Sequence, residues 1–262
     1  MEVFASIQGE GAYVGQPQIF VRLRGCPLRC SWCDTPESWT LREGAEAEIE
    51  RRDGLLEVGE VELVREPGNA TPFQVLCFVA AAEGGRPRTI SLTGGEPLLF
   101  PDFIIELARL MGERRLHLET AGAHPKSLQR VLDSVDHFSL DLKLPSTLRA
   151  PVELQADPVE PAPTTAIEWR DCRRESMALV RKRDACLKLV LPKDVNDSEL
   201  GALLDDVQEC APELTVFIQP VTPIAGVRAP SLRELDRSVE AALERDLRVR
   251  VLPQMHPHLG IR

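Results

Sequence analysis

The stretch IFVRLRGCPLRCSWCDT, residues 19–35, decides how this chain is read. Its first half alternates apolar and cationic residues at strand period. Its second half places Cys26, Cys30 and Cys33 at i, i+4 and i+7 on the loop that follows. A loop this tight can aim three thiolates at one point, as a metal centre requires. A structural zinc site wants four closed ligands. Three clustered sulfurs on a four-iron cluster would leave one coordination position open. A zinc site completed by a distant residue such as His117, His256 or Cys172 is the alternative, with chance clustering behind it. The five histidines show no ligand-like spacing among themselves.

Outward from that loop, strand-sized runs recur at 89–93 (TISLT), 115–119 (RLHLE), 137–142 (HFSLDL), 186–191 (CLKLVL), 214–219 (LTVFIQ) and 247–252 (LRVRVL). Several are dense in Val, Ile and Leu, which suggests strands covered on both faces. Helical patterns separate them at 71–83, 101–112, 125–135, 198–210 and 231–245, with Ser198 and Ser231 as expected N-caps. This alternation predicts an α/β fold of parallel strands with outer helices, open or closed as a partial (β/α) barrel, with ligands at the carboxyl ends of the strands. One domain over 1–262 is expected. Two irregular insertions interrupt it, at about 41–69, where Asp53-Gly54 could turn a hairpin, and at about 145–175, a Pro- and Glu-rich loop.

The chain has 262 residues and a formal charge of −10. Counterion release gives an acidic protein little affinity for a polyanion, so no nucleic-acid partner is expected and a small molecule is favoured. No run approaches the roughly 20 apolar residues of a membrane helix, so no membrane partner is expected. The first ten residues lack a basic lead and an apolar run, so seven cysteines point to a reducing cytoplasm and to metal or catalytic use.

The Cys-x3-Cys-x2-Cys loop resembles the signature of the radical S-adenosylmethionine superfamily. SLTGGEP at 91–97, one β/α unit later, resembles its GGE motif. That resemblance implies a [4Fe–4S] cluster on Cys26, Cys30 and Cys33, with S-adenosylmethionine on the open iron. One-electron cleavage of that cofactor would yield a hydrogen-abstracting 5′-deoxyadenosyl radical. It also implies cofactor contacts from Trp32, Asp34, Gly95 and Glu96. Within the superfamily, FASIQGEG at 4–11, residues 19–35, Glu119-Thr120, the 141–143 region, Gln219-Pro220 and LPQMHPHLGIR at 252–262 resemble the 7-carboxy-7-deazaguanine synthases. Members convert 6-carboxy-5,6,7,8-tetrahydropterin to 7-carboxy-7-deazaguanine on the route to queuosine, with loss of ammonia.

The family match implies further cofactor contacts at Glu119, Asp141, Leu142, Lys143, Gln219, Pro220, Val221 and Thr222. It implies Mg²⁺ at Thr35, and pterin contacts at Ile7, Gln8, Gly9, Glu10, Arg22, Thr93 and Arg262. It also implies an electron donor such as flavodoxin or ferredoxin, and a homodimer. Plainer readings stand beside these. Arg22 could be an exposed strand charge, Gln8 and Glu10 turn residues, Thr35 a helix N-cap, and Asp141 with Lys143 an outward pair. A glycyl-radical-enzyme activase shares the cysteine loop, and a zinc-stabilised binding module needs no chemistry at all.

Overall fold

The computed structural model describes residues 1–41, 44–52, 60–152, 154 and 160–261. In chain order it contains β1 (Glu2–Ile7), β2 (Pro17–Leu23), β3 (Arg29–Cys30), β4 (Glu46–Arg51), β5 (Glu62–Pro67) and α1 (Pro72–Glu83). Next come β6 (Thr89–Gly94), α2 (Pro101–Met111), β7 (Leu116–Thr120), α3 (Pro125–Val131) and β8 (His137–Asp141). The remainder is β9 (Leu148–Arg149), α4 (Ala166–Val180), β10 (Ala185–Leu191), α5 (Asp197–Cys210), β11 (Val216–Pro220), α6 (Leu232–Leu243), β12 (Val249–Val251) and α7 (Met255–Leu259).

Ten strands form one sheet in the order β12-β11-β10-β8-β7-β6-β2-β1-β4-β5. From β2 through β12 every neighbouring pair is parallel, the arrangement that βα alternation produces. β1 runs antiparallel to β2, and β4 and β5 form a hairpin beyond it. The α/β fold of parallel strands with outer helices is as expected, and among the described residues the edge strands β12 and β5 do not pair with each other.

The strands are not apolar on both faces, contrary to the expectation from their composition. Ile19, Val21, Leu23, Ile90, Leu92, Leu116, Leu118, Phe138, Leu140, Leu187 and Leu189 face one way. They pack with Val75, Val79, Ile104, Leu107, Leu128, Met177 and Leu203 of the helices. Between them in sequence lie Gln18, Arg22, Ser91, Thr93, His117, Glu119, Ser139, Asp141, Cys186 and Lys188. Successive strand side chains point to opposite faces, so these polar residues share the other face.

Local signals set the helix ends. Thr71, Thr165 and Ser231 each cap a helix and form a reciprocal capping box with Gln74, Glu168 and Glu234. α5 is capped by Asn196, whose side chain accepts from the Ser198 and Glu199 N–H groups, two residues before the expected Ser198 cap. α3 stops at Val131, short of Val135.

The first insertion forms a hairpin, as its turn signal allowed, and the second carries more structure than a loop. The 41–69 segment supplies β4 and β5, and its Asp53-Gly54 pair lies outside the described residues. The 145–175 segment includes β9 and most of α4. Its start clamps the cysteine loop: β9 pairs with β3 through Cys30↔Leu148, and Ser31 N–H donates to the Thr147 carbonyl at 2.8 Å. Trp169 of α4 packs beneath, with Cys26, Leu28 and Ala123.

The other side of the loop is held by β6. Gly95 N–H donates to Leu23 O at 2.9 Å and Glu96 N–H to Gly25 O at 2.8 Å. Gly94 sits at φ +112°, and a Cβ on Gly95 would lie 2.1 Å from the Gly25 carbonyl oxygen. Only glycine admits this approach. Gly95→Ala should therefore cost about 1–3 kcal/mol and displace the cysteine loop. Lower thermal stability together with poorer iron retention after reconstitution is the expected result; wild-type values for both would show that the contact is dispensable.

Candidate active site

A cavity of about 250 Å³ opens on the polar face of the sheet. It is lined by the cysteine loop, the 7–10 segment, the ends of β6, β7, β8, β10 and β11, and the 254–256 segment. Expected site residues gathered there are Ile7, Gln8, Gly9, Glu10, Arg22, Cys26, Cys30, Trp32, Cys33, Asp34, Thr35, Thr93, Gly95, Glu96, Glu119, Asp141, Lys143, Gln219, Val221 and Thr222. Two expected contacts fall elsewhere. The Leu142 side chain belongs to the apolar core, because it sits on the opposite face from Asp141. Pro220 closes β11 without lining the cavity. Arg262 lies outside the described residues.

At one end stand the three thiols, all free. Burial, with Glu96 nearby, pushes the Cys26 thiol up to about 12, and burial also raises Cys30. Desolvated thiols of this kind are inert unless a cation replaces their protons. The Trp39 indole N–H donates to Cys33 Sγ at 3.2 Å, and Thr35 Oγ1 lies 4.0 Å from the same sulfur. Cys26, Cys30 and Cys33 all line the cavity, and three thiolates are a donor set that fits an iron–sulfur cluster.

Beside the thiols, Lys143 Nζ lies 4.1 Å from the centroid of the Trp32 ring and bonds Asp141 at 2.6 Å. Burial lowers its basicity, but Asp141 and Cys30 outweigh that and raise it. Trp32 Nε1 and Asp141 Oδ1 are buried without a hydrogen-bond partner. An orphaned donor and acceptor at the cavity wall are what a polar cofactor would satisfy. Glu96 is different. Its carboxylate accepts from Thr120 Oγ1 at 2.6 Å, Leu98 N–H at 3.1 Å and Ala121 N–H at 3.0 Å, tying β6 to β7.

At the other end lies a denser network. Gln8, buried and not a surface turn residue, donates to Glu119 at 2.7 Å and accepts from the Glu10 N–H at 3.1 Å. Thr93 Oγ1 also donates to Glu119, at 3.0 Å. Burial, reinforced by Glu10, raises the Glu119 carboxyl. Burial pushes Glu10 the same way, but Lys188, Gln254 and Gln219 more than reverse it and hold Glu10 at about 2. Lys188 bonds Glu10 directly and reaches Asp141 at 3.5 Å. Arg22 lies on β2 between these ends, half-buried, paired with Glu2 at 2.5 Å and placed over the Phe4 ring.

Thr35 begins a short 3-10 turn at 36–39 but makes no capping hydrogen bond with its side chain. Its hydroxyl therefore has no helix-capping duty. Sequence reasoning missed Lys188, Gln254, His256, Phe4 and Phe20 as cavity residues. Lys188 had a signal: a lysine at the alternating position of an otherwise apolar strand is buried only when paired. Gln254 falls within the LPQMHPHLGIR stretch of the family match, but no local pattern gives it a role, because its approach to Glu10 at 2.7 Å crosses nearly the whole chain.

With that geometry in view, residues 20–207 match the family model described as the Radical SAM superfamily. The 7-carboxy-7-deazaguanine synthase of Methanothermobacter thermautotrophicus is 34% identical over 100% of this chain and 97% of its own length. That of Geobacter sulfurreducens is 30% identical over 99% and 96%. Among solved structures, QueE from Escherichia coli superposes with a TM-score of 0.56 at 18% identity, covering 95% of this chain and 91% of that one, a likeness of fold. The chain belongs to the radical SAM superfamily and, within it, to the 7-carboxy-7-deazaguanine synthase family.

Proposed function

We propose that the chain converts 6-carboxy-5,6,7,8-tetrahydropterin to 7-carboxy-7-deazaguanine and ammonia. The observation that carries this reading is convergence: motif residues from both ends of the chain line one cavity, in a protein matched end to end by named synthases. The reaction is redox-neutral. Elimination of ammonia accounts for every atom lost, and a hydrogen removed at the start is returned to the substrate-derived skeleton.

When bound at Cys26, Cys30 and Cys33, a [4Fe–4S] cluster with S-adenosylmethionine supplies the one-electron chemistry that begins hydrogen abstraction. The chain's own residues do the rest. Trp32, with Asp34, Gly95, Glu96, Asp141 and Lys143, forms the cofactor end. Glu119 and Gln219, with Val221 and Thr222, form the wall between the two ends. Ile7, Gln8, Gly9, Glu10 and Thr93 form the pterin end. Arg22 offers a planar fork suited to the substrate carboxylate, once its guanidinium is shared with Glu2. Glu119, its carboxyl raised by burial, can hold a proton close to the pterin. Thr35 offers a hard oxygen of the kind Mg²⁺ prefers. An electron donor such as flavodoxin or ferredoxin, a homodimer and a cytoplasmic setting belong to the same proposal.

Anaerobically reconstituted, reduced protein should form the deazapurine and one ammonia per turnover. Cys30→Ala should abolish both product and cofactor cleavage while keeping the wild-type circular dichroism spectrum. A wild-type protein that leaves the pterin unchanged, or an active Cys30→Ala, overturns the assignment.

Two further substitutions separate the ligands. Arg22→Ala should cost about 1.5–3 kcal/mol, read as a higher KM for the pterin with little change for S-adenosylmethionine; equal losses would make Arg22 structural. Thr35→Val should lose the stimulation by added Mg²⁺, and an unchanged metal response removes Thr35 from that role.

A further inference from the structure

Lys188 is buried, with 8% of its surface exposed, and its two carboxylate partners come from opposite ends of the cavity. Burying an ammonium costs several kcal/mol before any pairing, and a buried ion pair replaced as a whole by apolar residues is often neutral or stabilising. Fold stability alone therefore gives little reason for a lysine at this point of β10, whose neighbours Leu187 and Leu189 lie in the apolar core. Its partners give a better one.

On one side Lys188 bonds Glu10, which also accepts from Gln219 Nε2 at 3.0 Å and Gln254 Nε2 at 2.7 Å. On the other side it reaches Asp141 at 3.5 Å, whose same oxygen accepts from Lys143 at 2.6 Å. Lys143 in turn lies over Trp32. The result is a row of alternating charge, Glu10–Lys188–Asp141–Lys143, running across the cavity from the glutamine pair to the indole. Removing Lys188 leaves the Glu10 and Asp141 carboxylates without the cation they share.

We propose that Lys188 is a positioning residue that couples the pterin end of the cavity to the cofactor end, fixing Glu10 and Asp141 in a single row through one ammonium. The inference rests on the function proposed above and adds to it a residue whose observed bonds are to Glu10 and Asp141. Lys188 makes cofactor use conditional on a correctly held substrate. Without it Glu10 is misplaced, while the thiols, Trp32 and Lys143 keep their own supports.

The test compares Lys188→Met, Lys188→Arg, Glu10→Gln and the Glu10→Gln/Lys188→Met double variant in the reconstituted enzyme. Pterin and S-adenosylmethionine dissociation constants are measured separately by calorimetry, alongside steady-state kinetics and the ratio of 5′-deoxyadenosine to deazapurine. Lys188→Met should weaken pterin binding on the order of a hundredfold, as breaking a buried pair does, mostly in KM. Cofactor affinity should fall far less than pterin affinity, because Asp141 keeps its bond from Lys143, which stays over Trp32. The ratio of 5′-deoxyadenosine to product should rise.

Lys188→Arg, which keeps the cation, should recover most of the loss, and the double variant should be no worse than Glu10→Gln alone. Three results overturn the proposal: wild-type pterin affinity in Lys188→Met, an arginine variant as impaired as the methionine one, or a parallel loss of both ligands with a lowered melting temperature. Wild-type protein that neither binds nor converts the pterin would overturn the proposed function and this inference with it. A wild type that converts the pterin, matched by Lys188→Met, overturns the inference alone.

Discussion

Two backbone hydrogen bonds, from Gly95 N–H to Leu23 O and from Glu96 N–H to Gly25 O, hold the cysteine loop against the end of β6. Almost everything that follows depends on that contact. It requires glycine at 95, since a Cβ would meet the Gly25 carbonyl oxygen at 2.1 Å. It turns the loop so that three sulfurs and Trp32 line a cavity beside Asp141 and Lys143. β9 completes the clamp from the opposite side. The cysteine loop is thus held by strand ends on two sides, and rigid supports of this kind keep a site's geometry within the narrow tolerance that chemistry needs.

The sheet divides its labour between faces. One face packs Val, Ile, Leu and Phe against helices and supplies the hydrophobic stabilisation, at roughly 25 cal/mol per Å² buried. The other carries Gln8, Glu10, Arg22, Glu119, Asp141, Lys143 and Lys188, groups whose desolvation opposes folding. They are tolerated because each carries a partner: Gln8 on Glu119, Lys188 on Glu10, Lys143 on Asp141 and Arg22 on Glu2. Paired charges in low dielectric orient ligands with little reorganisation when a reaction occurs. Stability is spent on one face for function and recovered on the other.

Much of this was legible in the chain itself. The βα alternation, the cysteine loop and the glycine pair depend on local spacing; the alternation led to the parallel sheet, and the loop and glycine pair meet at one end of the cavity. The alternation within TISLT, RLHLE and CLKLVL also encoded a polar face, but apolar density obscured it. What stayed hidden depends on distant pairing. β1 joins the sheet through its antiparallel partner β2, and α4 lies behind a Pro-rich segment that reads as loop. Gln254 meets Glu10 because the segment after β12, whose Met255 N–H donates to Gly9 O at 3.0 Å, reaches the 9–10 segment. The side chain of Leu142 lies in the apolar core while its neighbour Asp141 lines the cavity, on the opposite face.

The central claim is that three sulfurs leave one corner of an iron–sulfur cluster open for S-adenosylmethionine. Electron paramagnetic resonance of the anaerobically reduced protein, titrated with that cofactor, tests it most directly. The cluster signal should change shape and saturate at one cofactor per chain. An intact cluster whose signal ignores the cofactor would mean that a side chain fills the fourth corner, and would contradict the claim.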